Sequence, residues 1–486
     1  MFRCARFSRF VFIACIALCP LVHADDPAPT LTADQAQREL RILKRGLTGL
    51  HAGLYRYQTA EQFEAVFAHA EAQVADGSDA AEMYLIATRI TAAVRCGHTW
   101  TNPLNQGPAM QRALAALPAL PVRVRLLERR LLVTASADPQ VPVNAELLSI
   151  DGRTPAALIA GFMPYLRADG SNDGKRLSQL DSDGNGGAMD RLLPLLYPPG
   201  TNGYALRLRT RDGTIRDVTV AAITASERER LLAAAGVPAE DTEWRFNIDG
   251  DTATLRLPTF AFWNGGFDWS GFLVRSFATL EQQNIPHLII DLRQNEGGDD
   301  AIGRALMAHV ISTPLTIPAT RAESAYERVP YDLARYLDTW DFSFFDRTGQ
   351  VIRSEGRNWR LREQAEDRVI APVAAPYRGK VALLTGPRMS SAGYLIARDF
   401  KASGAATLIG RETGGNLRGL NGGQLAWMVL PLSGVSIDIP LISGFAKTAQ
   451  PDRGVLPDIV VRTRLEDAAA GIDPDVVAAK TWFTGD

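Results

Sequence analysis

The chain has 486 residues, 46% of them hydrophobic and 22% charged, so it is long enough for two or three domains with ordinary globular cores. Its formal net charge of −2 gives no electrostatic reason to expect binding to nucleic acid or to an anionic membrane surface. Function therefore has to be inferred from local patterns rather than from overall charge.

The first 24 residues have the pattern of a secretory signal peptide. A positive segment precedes an apolar stretch that ends at a small-residue cleavage site: Arg3, Arg6 and Arg9, then Val11 to Val22, then Val22-His23-Ala24. The sequence predicts cleavage after Ala24 and a secreted or periplasmic location. The apolar stretch is short for a retained membrane anchor. Lipoprotein anchoring is not expected, because Leu18 is too large for the position before Cys19.

Cysteine and histidine usage predicts neither a disulfide nor a metal site. Three of the four cysteines lie in the predicted signal peptide, so the mature chain would keep only Cys96. The histidines and cysteines also lack the spacing of metal ligands. The sequence therefore predicts no metal and no other cofactor.

Hydrophobic periodicity divides the mature chain into three regions. Residues 25–116 have apolar residues at helical spacing and are predicted to form an N-terminal helical domain. Residues 117–243 are predicted to form a β-rich domain with a long polar loop at Arg167 to Asp190, interpreted as a lid or an ordered insertion. Residues 244–486 alternate strands and helices, which is typical of an α/β core with a mainly parallel sheet and flanking helices. The active site of such a core lies at the carboxyl ends of its strands.

Two strand ends in the third region have residues suited to chemistry. Lys380 to Thr385 is predicted as a buried strand, followed by a tight turn, two serines and the start of a helix. Pro286 to Arg293 is predicted as a second buried strand, and Gly297-Gly298 comes shortly after it. A hydroxyl at a strand end, beside the free amides of a helix's first turn, suits a nucleophile with an oxyanion hole. The alternative is that Ser390 or Ser391 only caps the helix.

Four motifs in this region resemble those of the tail-specific (carboxy-terminal processing) serine peptidases, in the branch similar to the tricorn protease core. They follow one another in the family's order: Leu288 to Gly298, Val381 to Gly393, Gly410 to Gly415, and Pro451 to Asp458. The resemblance implies a crotonase-like, tail-specific protease fold for residues 244–486. It also implies that residues 117–243 contain a PDZ-like module.

The resemblance also implies a nucleophile and a base. Ser391, which stands directly before Ala392, is the predicted nucleophile. In one branch of the family the base is a lysine 25 positions after the serine, but that position here is Asn416, which cannot accept a proton as a base. The tricorn-like branch uses a histidine from the N-terminal region. His98, in Gly97-His98-Thr99, is the predicted base, since an imidazole titrates near neutral pH.

The remaining site residues are predicted from the same resemblance. Asp452 is the predicted acid partner of His98, with Glu412 as a competing candidate. The backbone amides of Gly297 and Ala392 are the predicted oxyanion hole.

The sequence thus predicts an exported serine peptidase, with a histidine rather than a lysine as base, that cleaves extended or unfolded polypeptides through an acyl-enzyme. No nucleic acid and no lasting membrane insertion are expected. Two alternatives stay open. One is a non-catalytic peptide- or ligand-binding protein on the same fold, because Asn416 replaces the lysine and Tyr394 stands where many members have a glutamate. The other is an esterase-like hydrolase, because the same groups serve acyl transfer in general.

Overall fold

The structure is a computed structural model that describes residues 30–182, 187–239, 242–263, 265–354, 356–362 and 367–485, so the predicted signal peptide lies outside the described residues. The described α-helices are α1 Ala33–Leu50, α2 Ala60–Glu71, α3 Ala80–Ala93, α4 Pro108–Ala115, α5 Pro155–Phe162, α6 Asp173–Ser178, α7 Ala188–Leu196, α8 Ala225–Ala234, α9 Trp269–Gln282, α10 Asp300–Ala308, α11 Tyr331–Ala334, α12 Ala392–Ser403, α13 Leu465–Ala469 and α14 Pro474–Thr484. The described strands are β1 Val122–Leu127, β2 Arg130–Ser136, β3 Glu146–Ile150, β4 Tyr204–Arg209, β5 Ile215–Val220, β6 Arg245–Asp249, β7 Thr252–Arg256, β8 His287–Asp291, β9 Leu315–Ile317, β10 Arg321–Ser324, β11 Leu337–Asp338, β12 Val351–Arg353, β13 Trp359–Leu361, β14 Arg368–Ile370, β15 Lys380–Thr385, β16 Thr407–Gly410, β17 Gly423–Val429, β18 Ser436–Phe445 and β19 Ile459–Val460.

The third region is built on a six-stranded sheet in the order β19-β16-β15-β8-β7-β6. Neighbouring strands are parallel from β19 to β7, and β6 is antiparallel to β7. The central strands β8 and β15 consist largely of aliphatic residues that are buried on both faces. Helices α9, α10 and α12 contribute to the apolar core on one face, and α14 packs on the other. The carboxyl ends of β8 and β15 therefore lie side by side at one edge of the sheet.

A second six-stranded sheet has the order β11-β17-β18-β10-β13-β12. Helices α1, α2 and α3 cover it and share its apolar core, in which Leu43 and Leu47 of α1 cluster with Ile437 and Ile439 of β18. The contact is close, since a Cβ atom on Gly46 would lie 2.2 Å from Cε of Met428. The N-terminal helices thus complete their apolar core with strands that come more than 300 positions later in the chain.

The β-rich region forms a five-stranded antiparallel sheet, β1 to β5 in sequence order, with an apolar core that includes residues of α5 and α7. Its likeness to a PDZ module stays a prediction. The polar stretch predicted as a lid or an insertion is folded into the molecule. We name residues 167–182 the polar segment; Asp169, Asn172 and Lys175 in it are at most 5% exposed. None of the described helices has both the length and the apolar character needed to cross a bilayer.

A buried ion pair joins the two helices that flank the β-rich sheet. The guanidinium of Arg228 in α8 donates to both carboxylate oxygens of Asp190 in α7, at 2.8 and 2.9 Å. The two side chains are 0% and 5% exposed. Nε of Arg228 also donates to Oε1 of Glu229 at 3.0 Å, so removing Asp190 leaves the buried guanidinium with only part of its compensating charge and with unpaired N–H groups.

We expect Asp190→Ala to lower the free energy of unfolding by about 3–5 kcal/mol, measured by urea denaturation. The control is Arg230→Ala, which removes the exposed pair between Arg230 and Glu227 (66% and 41% exposed). This change should cost less than about 1 kcal/mol. Equal losses in the two variants would contradict the structural importance of the buried pair.

Candidate active site

Ser391 lies after the carboxyl end of β15, at the entry to α12. Its Oγ is 3.2 Å from Nε2 of His98, although the two residues are 293 positions apart. An imidazole nitrogen at hydrogen-bond distance from a serine hydroxyl is the geometry of a nucleophile with its general base. The structure therefore brings these two predicted residues together, while their roles stay predictions.

The backbone of Ser391 is strained, with φ of +51° and ψ of −128°, a region that residues other than glycine rarely adopt. Ser391 occupies the N-cap position of α12, but its side chain makes no capping hydrogen bond. The alternative that this serine only caps the helix is therefore not supported by the geometry. The turn is held by hydrogen bonds from Ser390 N–H to Asn295 O at 3.2 Å and from Gly414 N–H to Met389 O at 2.7 Å.

The loop after α3 holds His98 in place. Arg95 has φ of +57°, which turns the chain at the end of the helix. The N–H of Gly97 then donates to Oδ1 of Asp169 at 2.8 Å, and its carbonyl accepts from Arg167. Beyond His98, the carbonyl of Trp100 accepts from the N–H of Asp438 in β18 at 2.9 Å. The loop that carries the imidazole is thus fixed both to the polar segment and to the second sheet.

The environment of His98 favours the neutral imidazole. Burial lowers the pKa of His98 below its ordinary 6.5, and the negative charge of Asp169 acts in the opposite direction. A neutral ring can accept a proton from Ser391 at neutral pH. The other ring nitrogen, Nδ1, is buried and has no hydrogen-bond partner among the described residues.

Asp452, the predicted acid partner, makes no hydrogen bond to His98 in the described part of the chain. Its carboxylate instead accepts from the N–H and hydroxyl of Ser171, at 3.0 and 2.9 Å, and from Nδ2 of Asn416 at 2.7 Å. Burial raises the pKa of Asp452, but these hydrogen bonds outweigh burial and hold it below the ordinary value. In this structure Asp452 anchors the polar segment instead of contacting His98, and its role as the acid partner stays a prediction.

The competing candidate, Glu412, is also engaged elsewhere. Its Oε1 accepts from the N–H of Gly454 at 2.7 Å. Neither carboxylate therefore orients the imidazole of His98 by a direct hydrogen bond.

Gly297, a predicted oxyanion-hole residue, lies against Ser391. A Cβ atom on Gly297 would lie 2.6 Å from Cβ of Ser391 and 2.8 Å from the N of Ala392, so only glycine fits there. However, the N–H of Gly297 donates to Oδ1 of Asn295 at 2.8 Å. Among the described residues, no hydrogen bond from the N–H of Ala392 is found. One of the two predicted donors is thus free, and the other is occupied by a side chain.

Two charged residues near Ser391 and His98 were not predicted from the sequence. Lys175 is 1% exposed, and its Nζ lies 3.0 Å from the carbonyl of Arg388, 3.2 Å from Oγ of Ser390 and 3.0 Å from Oε2 of Glu296. The polar segment also supplies Asp169. The burial of Lys175 and Asp169 was not expected, because lysine and aspartate are rarely buried. Hydrophobic periodicity also gives no signal for a buried charged residue. The one local signal was the position of Glu296 directly before Gly297-Gly298.

One segment of the chain is similar to a known protein family. Residues 251–461 match the model of peptidase family S41. The core of this chain belongs to that family. This confirms the family that was predicted from the four motifs, for the part of the chain that carries them. No curated protein matches the chain in sequence.

Solved structures resemble the S41 core together with the regions before it. Mature CPAF complexed with lactacystin aligns at 15% identity and a TM-score of 0.61, over 93% of this chain and 99% of that one. Mature CPAF aligns at 16% identity and a TM-score of 0.60, over 93% and 96% of the two chains. The tricorn protease aligns at 14% identity with a TM-score of 0.38, over 93% of this chain and 37% of that one. At these identities the two CPAF alignments show a shared fold, and the tricorn alignment is too distant to support an argument.

The strain at Ser391 leads to a prediction about stability. Both Ser391→Ala and Ser391→Gly remove the hydroxyl, but only glycine adopts the positive φ without cost. We expect the glycine variant to unfold with a free energy about 1 kcal/mol above that of the alanine variant, measured by chemical denaturation. The same alanine-to-glycine change at exposed Ala402 in α12 is the control and should lower stability by about 1 kcal/mol. A loss of similar size at both positions would show that Ser391 is not strained.

Proposed function

We propose that this protein is an exported serine peptidase that hydrolyses extended or unfolded polypeptides through an acyl-enzyme on Ser391, with His98 as the base. The observation that supports this most strongly is the 3.2 Å distance between Ser391 Oγ and His98 Nε2. Membership of the core in peptidase family S41 agrees with it. The chemistry needs no residue at the lysine position, which is occupied here by Asn416.

The proposed reaction follows from the positions of these two side chains. Ser391 Oγ attacks the carbonyl carbon of the scissile bond while its proton moves to Nε2 of His98. The protonated imidazole then gives the proton to the leaving amine, and the C–N bond breaks to leave an ester on Ser391. A water molecule attacks that ester with His98 again as base, which releases the acid product and restores the hydroxyl.

The oxyanion would be bound by the N–H of Ala392 at the start of α12, where the helix dipole also favours negative charge. The N–H of Gly297 is the second candidate donor. It would have to exchange the side-chain oxygen of Asn295 for the substrate oxygen, and the two acceptors compete for the same hydrogen. We propose that this exchange accompanies substrate binding.

An extended substrate is proposed because main-chain groups border the nucleophile and its base. A Cβ atom on Gly422 would lie 2.9 Å from Nε2 of His98, so the backbone that leads into β17 runs beside the imidazole. A substrate strand that adds to a sheet edge is held by main-chain hydrogen bonds, which do not depend on particular side chains. A folded domain would not present a free strand to it.

Covalent labelling of the full chain with a fluorophosphonate tests the nucleophile. We expect the label on the peptide that contains Ser391, together with cleavage of an unfolded polypeptide. Ser391→Ala should abolish both, whereas Ser390→Ala should have a much smaller effect. Labelling with turnover of esters but not of peptides would favour the esterase-like alternative. An unlabelled wild-type protein would favour the non-catalytic one.

If His98 is the base, the labelling rate should depend on pH. Since only neutral His98 accepts the proton, the labelling rate should fall as the pH drops through the pKa of His98, which burial places below 6.5. His98→Ala should reduce the rate by several orders of magnitude and remove this acid limb. His69→Ala, an exposed histidine in α2, is the control and should change neither. A normal rate in His98→Ala would contradict the proposed base.

Export is proposed from the signal-like pattern of the first 24 residues. Expression of the full chain in a bacterial host, followed by N-terminal sequencing of the envelope fraction, should give a mature protein that begins at Asp25. Retention of Met1 in that fraction would contradict cleavage after Ala24.

A further inference from the structure

Lys175 in α6 is buried, yet all of its ammonium hydrogens have acceptors. Its side chain is 1% exposed, and its three acceptors are the carbonyl of Arg388, the hydroxyl of Ser390 and the carboxylate of Glu296. A buried cation is costly unless it is paired and fully hydrogen-bonded, so these contacts hold Lys175 in a single arrangement. Nothing in the proposed reaction uses this residue directly.

The three acceptors belong to two different strand ends. Arg388 and Ser390 lie in the turn between β15 and α12, which sets the strained backbone of Ser391. Glu296 follows β8 and directly precedes Gly297, the residue that lies against Ser391. The ammonium group of Lys175 therefore links the turn that precedes Ser391 to the turn that contains Gly297. A strained residue persists only where its surroundings fix it, and Lys175 supplies such a constraint.

Hydrogen bonds within the polar segment and to residues 413–415 fix the position of Lys175. Asn172 caps α6 by accepting from the N–H of Lys175 at 3.0 Å. Its side-chain amide donates to the carbonyls of Thr413 and Gly415, at 2.7 and 3.1 Å. Gly414 between them leaves room for the lysine stem, since a Cβ atom there would lie 2.9 Å from Cδ of Lys175. The amino end of α6 is thus fixed to residues 413–415, directly beside the stem of Lys175.

Lys175 is not placed to act as the base for Ser391. Its contact is with the hydroxyl of Ser390, and its hydrogens are committed to three acceptors. The hydroxyl of Ser391 is already paired with His98.

We propose that Lys175 is a positioning residue, which locks the turn of Ser391 to the turn of Gly297 through Ser390, Arg388 and Glu296. This inference rests on the proposed function for its kinetic consequences, but its structural content does not depend on activity. The residue acts on the reaction through the geometry of its neighbours. Lys175 also acts through its charge, which lowers the pKa of His98. Arg167 lowers this pKa as well, whereas Asp169 and Glu296 raise it. His51 also faces His98 and stays uncharged, since burial lowers the pKa of His51 to about 3.

The kinetic test compares three variants by the rate of fluorophosphonate labelling at Ser391. Lys175→Met keeps the length of the stem and removes the charge, and it should slow labelling by about 100-fold through misplacement of the hydroxyl. Its acid limb should move to higher pH, because a cation that lowers the pKa of His98 is gone. Glu296→Gln should also slow labelling, but its acid limb should move to lower pH. Lys175→Arg keeps the charge and should keep the wild-type acid limb.

The control is Lys380→Met, at the amino end of β15. Nζ of Lys380 donates to the carbonyl of Phe483 at 2.9 Å, far along the strand from the serine turn. This variant should label at the wild-type rate. A wild-type labelling rate in Lys175→Met would overturn the proposal. So would a slow rate whose acid limb lies at the same pH as in the wild type.

A second measurement separates this proposal from the proposed function. Hydrogen exchange, followed by mass spectrometry in the inactive Ser391→Ala background, requires no catalysis. Adding Lys175→Met should speed exchange in peptides that cover residues 294–298 and 387–394, and leave peptides from α1 to α3 unchanged. Exchange that is unchanged, or faster throughout the chain, would overturn the positioning role even if the wild type is a peptidase. A wild type that does not label would overturn the peptidase while local exchange still decides the role of Lys175. If Lys175→Met fails to fold, Glu296→Gln gives the same local comparison.

Discussion

The Ser391 hydroxyl lies 3.2 Å from the His98 imidazole, and this contact forms only because distant parts of the chain pack together. The parallel sheet carries Ser391 at the end of β15. His98 comes from a loop that is fixed to the second sheet through Trp100 and Asp438. The apolar core shared by α1 to α3 and β18 therefore sets the position of His98, although it does not contain the imidazole or the serine hydroxyl. The site exists only when the two sheets and the helices are assembled.

The polar segment explains how such a site tolerates so many buried polar groups. Asn416 donates to the carbonyl of Asp169 and to the carboxylate of Asp452. Asn172 donates to the carbonyls of Thr413 and Gly415. The ammonium group of Lys175 has three acceptors. A polar network of this kind is favourable only if its members are satisfied, because water cannot replace a missing partner. The same exclusion of water keeps His98 neutral and strengthens the fields that act on it. Asn416 is thus a structural member of this hydrogen-bond network.

The sequence predicted the features that depend on local pattern. The strands β8 and β15 and the serine turn are continuous in sequence and have clear apolar runs, so their positions followed directly. His98 was found through a short motif, which no periodicity would have revealed. The hydrogen bonds of Asp452 with Ser171 and Asn416 were not predicted, because they depend on the burial of the polar segment. A stretch rich in Asp, Gly, Asn and Ser gives no sequence signal of burial. The short strands β10 to β13 have no such apolar run: β10 pairs with β18 and β11 with β17, while β13 lies between β10 and β12.

A structure of the covalent fluorophosphonate adduct would test the account most directly, because the tetrahedral phosphorus imitates the geometry of the acylation intermediate. The account predicts an adduct on Ser391 Oγ, with one phosphoryl oxygen accepting from the N–H of Ala392 and with the His98 ring within hydrogen-bond distance of the serine oxygen. An adduct on Ser390, or an imidazole that lies away from Ser391 in the adduct, would contradict it.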